Sequence, residues 1–311
     1  MSAEPDALQA RNQSPSAGLL VDTRRAALEL AVTAYLGRPW RVTAFTDLID
    51  LASHGCAILS DGRDAVFAKL SEAANGQDQF EVELAGLRYL AEQAGARVPI
   101  PIGVISVPGG VILLLEAARA VERGPREWRD IGAALARIHS LRGATWGFPR
   151  QGYFGPLYQD NRSTPDWLSF FTERRMWPRL MEAIDSGHLP TDSIRQVERL
   201  IARLPRLEIP DCAPCLLHGD AQQNNFISTA EGALVIDPAI YYGHPEMDLA
   251  LIDYFQPVPG DVLDGYREVL PIEPGFSARR DLWRVPACLA VVAVGGPAYL
   301  EMLTHAVQPY L

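Results

Sequence analysis

Leu216-Leu217-His218-Gly219-Asp220-Ala221-Gln222-Gln223-Asn224-Asn225-Phe226-Ile227, with Val235-Ile236-Asp237-Pro238 downstream, is the stretch that decides the fold. Three short apolar runs, Cys215 to Leu217, Phe226 to Ser228 and Leu234 to Ile236, read as strands. The first and third run straight into polar loops that carry an aspartate. The strand–turn–strand between Phe226 and Ile236 brings Asn225 and Asp237 to the same end of a hairpin. Phosphoryl transfer to a hydroxyl needs such a set. A carboxylate must orient or deprotonate the hydroxyl, and oxygen ligands must hold Mg²⁺, which also keeps some of its water. Asp220 is the candidate base, and Asn225 and Asp237 are the candidate metal ligands. Gly, Asp and Asn are also ordinary turn residues. Turn chemistry alone does not explain why both loops follow buried strands in this order.

Upstream, the periodicity predicts a helix over 24–36, an alternating strand from Arg41 to Leu48, and strands at Cys56–Leu59 and Ala65–Leu70. Between the last two, Ser60-Asp61-Gly62-Arg63 is a hairpin turn, because Asp-Gly accepts positive φ. Phe80, Leu84, Leu87 and Leu90-Ala91 mark an amphipathic helix over Phe80–Ala94, which Val98-Pro99-Ile100-Pro101 should break. A second hairpin, Val104–Val107 and Val111–Leu115, turns at Pro108-Gly109-Gly110. Val66-Phe67-Ala68-Lys69 puts a lysine at the end of an apolar strand, where it could snorkel to solvent or hold phosphates. In the second case a helix glutamate should pair with it. Glu83 is the candidate and Glu81 the rival. Leu115-Glu116-Ala117 falls where an interlobe hinge would offer backbone groups to adenine, although the run also reads as an ordinary buried strand.

After Glu116 the pattern turns helical, with helices expected at Ile131–His139, Trp167–Ile184 and Ser193–Leu204. The expected organisation is therefore α+β and two-lobed: a tail over 1–20 expected to be disordered, a β-rich nucleotide-binding lobe over 21–117, and a larger helical lobe over 118–311 that binds the acceptor. The 311 residues are 48% apolar and 21% charged, enough for a full core, and the formal net charge of −10 comes with no basic stretch fit for nucleic acid or an anionic membrane. Arg174-Arg175 and Arg279-Arg280 read as solvated helix faces. The uncharged run Val285–Leu300 is interrupted by Pro286, Gly295, Gly296 and Pro297 and reads as core, not a membrane span. The start of the sequence lacks the pattern of a secretory signal, which points to the cytoplasm. Cys212-Ala-Pro-Cys215 has no second pair at zinc spacing and reads as two small residues leading into a buried strand.

With these residues in place, the sequence resembles the fructosamine kinase (ketosamine 3-kinase) family of the aminoglycoside-phosphotransferase-like group. The family pattern is His-Gly-Asp-Leu-Trp-x-Gly-Asn, a strand ending in Asp-Pro-Ala, then Tyr-Gly-His-x-Glu-x-Asp-Leu-Ala. Here the matches are His218-Gly219-Asp220, Asn225, Asp237-Pro238-Ala239 and Tyr242-Gly243-His244-Pro245-Glu246-Met247-Asp248-Leu249-Ala250. Trp146-Gly147-Phe148, Trp167, Phe170-Phe171, Arg174-Arg175 and Phe80…Glu83…Leu87 are similar too. The resemblance runs from about residue 40 to the end and implies a protein-kinase-like fold. It also implies transfer of the ATP γ-phosphate, with Mg²⁺, to a hydroxyl of a sugar or aminated sugar, typically a ketosamine formed by a sugar and an amine. It makes Asp220 the base and puts Asn225 and Asp237 on Mg²⁺. Lys69 would lie on the phosphates and Glu83 on Lys69, with Gly55 in the nucleotide loop Ser53-His54-Gly55-Cys56. Asp248 would order the catalytic loop, and His218 and His244 would be structural.

The departures are specific. Ala221-Gln222 stands where the family has Leu-Trp, so an indole that could stack on a sugar is replaced by an amide. Asn224 replaces Gly, and the nucleotide loop has one glycine where the family has several. An aminoglycoside- or choline-type acceptor and a nucleotide-binding pseudokinase are the competing readings. Glu246 and Asp248 could favour a cationic acceptor in any of them. Cys56 is either a small residue beneath the nucleotide or, if exposed, an oxidisable thiol.

Overall fold

A computed structural model describes residues 15–48 and 55–311. Two compact units emerge. The first comprises the chain up to Arg88 and Arg97–Val121, and the second comprises Tyr89–Ala96 and Glu122–Leu311.

In the first unit a five-stranded antiparallel sheet has the order β1-β2-β3-β5-β4. Its strands are β1 (Ala44–Asp47), β2 (Gly55–Ser60), β3 (Ala65–Ser71), β4 (Pro101–Val107) and β5 (Gly110–Glu116). Two helices accompany it, α1 (Asp22–Leu36) and α2 (Gly76–Ala94). The sheet is buried on both faces, and strand alternation sorts the side chains. Val66, Ala68, Leu70, Ile112 and Leu114 pack with Leu28 and Val32 of α1. The alternate residues Phe67, Val111, Leu113 and Leu115 pack with Phe80, Leu84 and Leu87 of α2. Lys69 has the parity of the α2 face, so its side chain heads for a helix and not for water.

The β2–β3 turn is built as its sequence requires. Gly62 takes φ +89, and the Asp61 carboxylate accepts the N–H of Arg63 at 2.9 Å and of Asp64 at 2.8 Å. Helix α2 ends at Gly95, φ +63, ahead of the prolines expected to break it, and Pro101 instead opens β4. The segment Pro15–Leu20 forms a 3₁₀ helix with Leu19 fully buried, so the expected disordered tail does not reach residue 20. Its residues 1–14 and the loop residues Ser53 and His54 lie outside the described residues.

The second unit is mainly helical. Helix α3 (Pro125–His139) begins with Pro at its first turn and with the Glu127 carboxylate on the Gly124 N–H. The β6–β7 hairpin (Gly152–Phe154, Leu157–Gln159) follows. The helix expected over 167–184 is three segments: α4 (Trp167–Phe170), a π-turn over Phe171–Met176, and α5 (Trp177–Asp185). Helix α6 (Thr191–Arg203) leads to strand β8 (Cys215–Leu217), hairpin β9–β10 (Phe226–Thr229, Gly232–Val235) and β11 (Tyr241–Gly243), which pairs with β8. Helices α7 (Glu246–Leu251), α8 (Asp261–Arg267), α9 (Phe276–Gly295) and α10 (Leu300–Val307) complete it. The uncharged run expected in the core lies largely in α9, where Val285–Ala290 are buried. Among the described residues no helix is long and apolar enough to cross a membrane.

Helices α3 and α8 touch through glycines. A Cβ on Gly132 would stand 1.8 Å from the Val262 carbonyl oxygen, and one on Gly265 would stand 2.1 Å from that of Arg129. Only backbone-to-backbone contact fits there, and it sets Tyr266 against His139.

Three expectations are corrected. Arg175 is 3% exposed, not on a solvated face. Its guanidinium lies 3.9 Å from the Tyr241 ring centroid and 4.5 Å from that of Phe170, and burial lowers its pKa to about 10. Arg279 and Arg280 are likewise anchored, to Glu246 and Asp253. Cys56 sits on β2 and is 1% exposed, which removes the exposure an oxidisable loop thiol requires.

Candidate active site

The loop that carries Asp220 hangs from one carboxylate. Asp248, fully buried on α7, accepts three donors. Its Oδ2 takes the His218 N–H at 2.7 Å and His139 Nε2 at 3.1 Å, and its Oδ1 takes the Gly219 N–H at 3.0 Å. His139 Nδ1 is 2.8 Å from the Tyr266 hydroxyl. The Asp248 carboxylate can only accept, so Nε2 carries the proton on that side, which leaves Nδ1 as the acceptor of the Tyr266 O–H. The Gly132–Gly265 crossing thus reaches the loop through Tyr266, His139 and Asp248.

The loop is also laced to the one after β10. Gly219 has φ +82, and a Cβ there would stand 2.0 Å from the Ala239 carbonyl oxygen; only glycine fits. The Ala239 N–H donates to the His218 carbonyl at 2.8 Å. His218 is fully buried. Its Nε2 donates to the Ile236 carbonyl at 2.9 Å, and its Nδ1 accepts the Asp220 N–H at 3.2 Å. Burial, the largest influence, lowers its pKa, so the ring is neutral and serves as a bracket between the two loops.

Asp220, Asn225 and Asp237 stand at one end of the β9–β10 hairpin. The Asn225 Nδ2 donates to the Asp220 carbonyl at 2.7 Å, and the Ile236 N–H donates to the Asn225 carbonyl at 3.0 Å. With Nδ2 spent, Asn225 offers Oδ1, a hard oxygen suited to Mg²⁺. Asp237 has φ +51, the one positive value at a non-glycine among the described residues, and strain of this kind collects at functional sites. Burial pushes the Asp220 carboxyl up to about 7. The Gln222 amide works against that shift and the Asp237 charge adds to it. Among the described residues no three His, Cys, Asp or Glu side chains form a metal cluster. A site of one carboxylate and one amide oxygen is the donor set of a cation that takes its remaining ligands from phosphate and water.

In the first unit, Lys69 Nζ is 2.9 Å from Glu83 Oε2, and Lys69 is 5% exposed. Glu81 is exposed and accepts from Gln77. The pair is therefore Lys69–Glu83, and snorkelling is excluded. Gly55 opens β2 opposite Leu70. At the expected hinge, Leu115 is buried in the ladder. The Glu116 N–H already donates to Ile100 at 2.9 Å and the Ala117 N–H to Ala65 at 3.1 Å. These two N–H groups are not open to adenine, and only carbonyls or residues beyond Ala117 remain for it. The Glu116 carboxylate accepts the Tyr35 hydroxyl at 2.8 Å.

Glu246 and Asp248 do not face an acceptor. Glu246 is 1% exposed, is held bidentate by Arg279 at 2.9 and 2.6 Å, and accepts Trp283 Nε1 at 2.7 Å. His244 stacks on Trp283 at 5.0 Å, and burial depresses its pKa to about 4, so it is neutral. Cys212 and Cys215 are free thiols whose pKa values burial raises. His139 and Tyr266 were missed by the sequence reading, although His139 closes a helix that had been recognised.

The fructosamine kinase family model matches residues 27–311. The chain belongs to the fructosamine kinase family. A "probable ketoamine kinase" of Synechocystis sp. is 32% identical over 259 residues, covering 80% of this chain and 84% of that protein. The crystal structure of a Thermobifida fusca protein provisionally assigned as a fructosamine-3-kinase aligns with TM-score 0.79 at 29% identity, over 91% of this chain and 98% of that one. An aminoglycoside phosphotransferase shares the fold at TM-score 0.56 and 14% identity, over 91% and 96%. The α+β, protein-kinase-like architecture expected from the sequence is therefore the fold of this fructosamine kinase family member.

Proposed function

We propose that this chain is an ATP-dependent kinase that phosphorylates a hydroxyl of a ketosamine, the adduct of a sugar with an amine. The observation that carries the reading is the triple-donor anchor on Asp248. It fixes Asp220 at the hairpin end shared with Asn225 and Asp237. Asp220 orients the acceptor hydroxyl and takes its proton as the oxygen attacks the γ-phosphorus of ATP and ADP departs. Its raised pKa suits a group that takes up a proton near neutrality. Asn225 Oδ1 and the Asp237 carboxylate would hold Mg²⁺, which would offset the charge of the triphosphate. In the first unit Lys69, oriented by Glu83, holds the phosphates. A nucleotide-binding pseudokinase would use Lys69, Glu83, Asn225 and Asp237 in the same way, but would have no need of the base Asp220.

Glu246 and Asp248 are spent on Arg279, Trp283, His139 and the loop backbone and do not bear on the choice of acceptor; the similarity to a ketoamine kinase is what favours a ketosamine over an aminoglycoside or choline. The cytoplasm is the compartment we assign. The test is ADP release from ATP with ketosamines, aminoglycosides and choline as separate acceptors. Ketosamine-dependent release supports the proposal, and turnover with an aminoglycoside or choline alone overturns it.

A further inference from the structure

Gln222 occupies a position on the candidate base that the reaction needs. Its Nε2 lies 3.4 Å from Asp220 Oδ1 and 3.3 Å from Oδ2, astride both oxygens. Full N–H···O bonds run from about 2.7 to 3.2 Å, so this contact holds the carboxylate loosely and yields to a better donor. The neighbours differ. Ala221 is fully buried. The Gln223 side chain accepts from Arg123 at 2.9 Å and donates to Gln256 at 2.8 Å. Asn225 is committed to the Asp220 carbonyl. Asn224 points outward. Gln222 is half-buried, and among the described residues its side chain makes its polar contacts with Asp220 alone.

An acceptor hydroxyl must donate to one of those two oxygens before its proton can move. When it does, the amide gives up that oxygen and is free to meet a substrate group close to the reacting hydroxyl. A primary amide there can donate through N–H or accept through its carbonyl. We propose that Gln222 is a specificity-determining residue that reads the oxygen vicinal to the phosphorylated hydroxyl. The site would thereby select vicinal diols and α-hydroxy ketones over isolated alcohols. This rests on the kinase reading of Asp220 and deepens it: polar recognition of the neighbouring oxygen takes the place of the aromatic stacking that the family's tryptophan could offer. A site built to hydrogen-bond a substrate oxygen discriminates against the analogue that lacks it far more sharply than an apolar pocket does.

The experiment compares a ketosamine with its monodeoxy analogues, each lacking the oxygen on one carbon next to the phosphorylated one. Wild type, Gln222→Leu and Gln222→Met are assayed for kcat and KM at saturating ATP. On wild type one deoxy analogue should lose about tenfold or more in kcat/KM, mostly through KM, in line with a lost hydrogen bond. On Gln222→Leu the parent acceptor should fall to that level and the same analogue should lose nothing further. Gln222→Met keeps the length but has neither the N–H nor the carbonyl, and should also lose the discrimination; it serves if Gln222→Leu folds poorly by melting temperature. An equal deoxy penalty on wild type and variants overturns the role of Gln222. If wild type phosphorylates another hydroxyl compound and no ketosamine, the substrate class is wrong, and the deoxy comparison on that compound still decides the role of Gln222. A wild type that phosphorylates no hydroxyl acceptor overturns both.

Discussion

Replacing Asp248 with asparagine should cost both stability and turnover. The carboxylate accepts from His218 N–H, Gly219 N–H and His139 Nε2 with no solvent access. Asparagine keeps one oxygen and turns its NH₂ towards at least one of these donors. Hydrogen bonds to a charged group contribute about 1.5–3 kcal/mol each, and a buried donor left facing another donor adds its own desolvation cost. A net loss of about 3 kcal/mol follows. For a unit of this size each kcal/mol moves the melting temperature by roughly 2–4 °C, so a drop of about 6–12 °C is expected. Turnover should fall about tenfold or more, because the loop that aims Asp220 loses its anchor. Asp220→Asn is the control. It should abolish turnover without lowering the melting temperature, since it removes a carboxyl that burial disfavours as an anion. Calorimetry with a coupled ADP assay on both variants gives the answer. An Asp248→Asn protein that melts within about 2 °C of wild type and keeps its kcat would refute the anchor.

Gly132→Ala pushes a methyl into the Val262 carbonyl. It should destabilise by about 1–3 kcal/mol and also lower kcat, read by thermal melts and steady-state kinetics. Glu83→Gln leaves Lys69 buried without its carboxylate; ATP affinity by isothermal titration should fall about tenfold, with a lower melting temperature. His244 is held at about 4, below its usual 6.5. Between those values the unfolded chain binds a proton that the folded one refuses, so stability is full above pH 6.5 and declines as pH falls towards 4. The decline amounts to about 3 kcal/mol at most, and urea midpoints against pH should be flatter for His244→Gln than for wild type.

The elements that sequence made legible are those governed by local rules. The parity of Val66 to Leu70 is the local rule that turns Lys69 to the α2 side, although the sequence reading left snorkelling open, and the i, i+4, i+7 stripe of Phe80, Leu84 and Leu87 marks the helix that carries Glu83. Asp61-Gly62 fixed its own turn through φ and a side-chain acceptor. What stayed hidden depends on contacts distant in sequence. Strands β6, β7 and β11 have three residues each, too few to show alternation. The Gly132–Gly265 contact joins positions with no local signature. His139 gains its role from Asp248, 109 residues away. The arginine pairs were misread because adjacent charges imply solvent only when no carboxylate or aromatic ring lies within the core to receive them, as Glu246 and Tyr241 do here.

Phosphorus NMR of a reaction with ATP, Mg²⁺ and a ketosamine addresses the central claim most directly. The account predicts ADP together with a new phosphate-ester resonance for wild type and neither for Asp220→Asn. Inorganic phosphate in place of an ester, or equal ester formation by the two proteins, would contradict it.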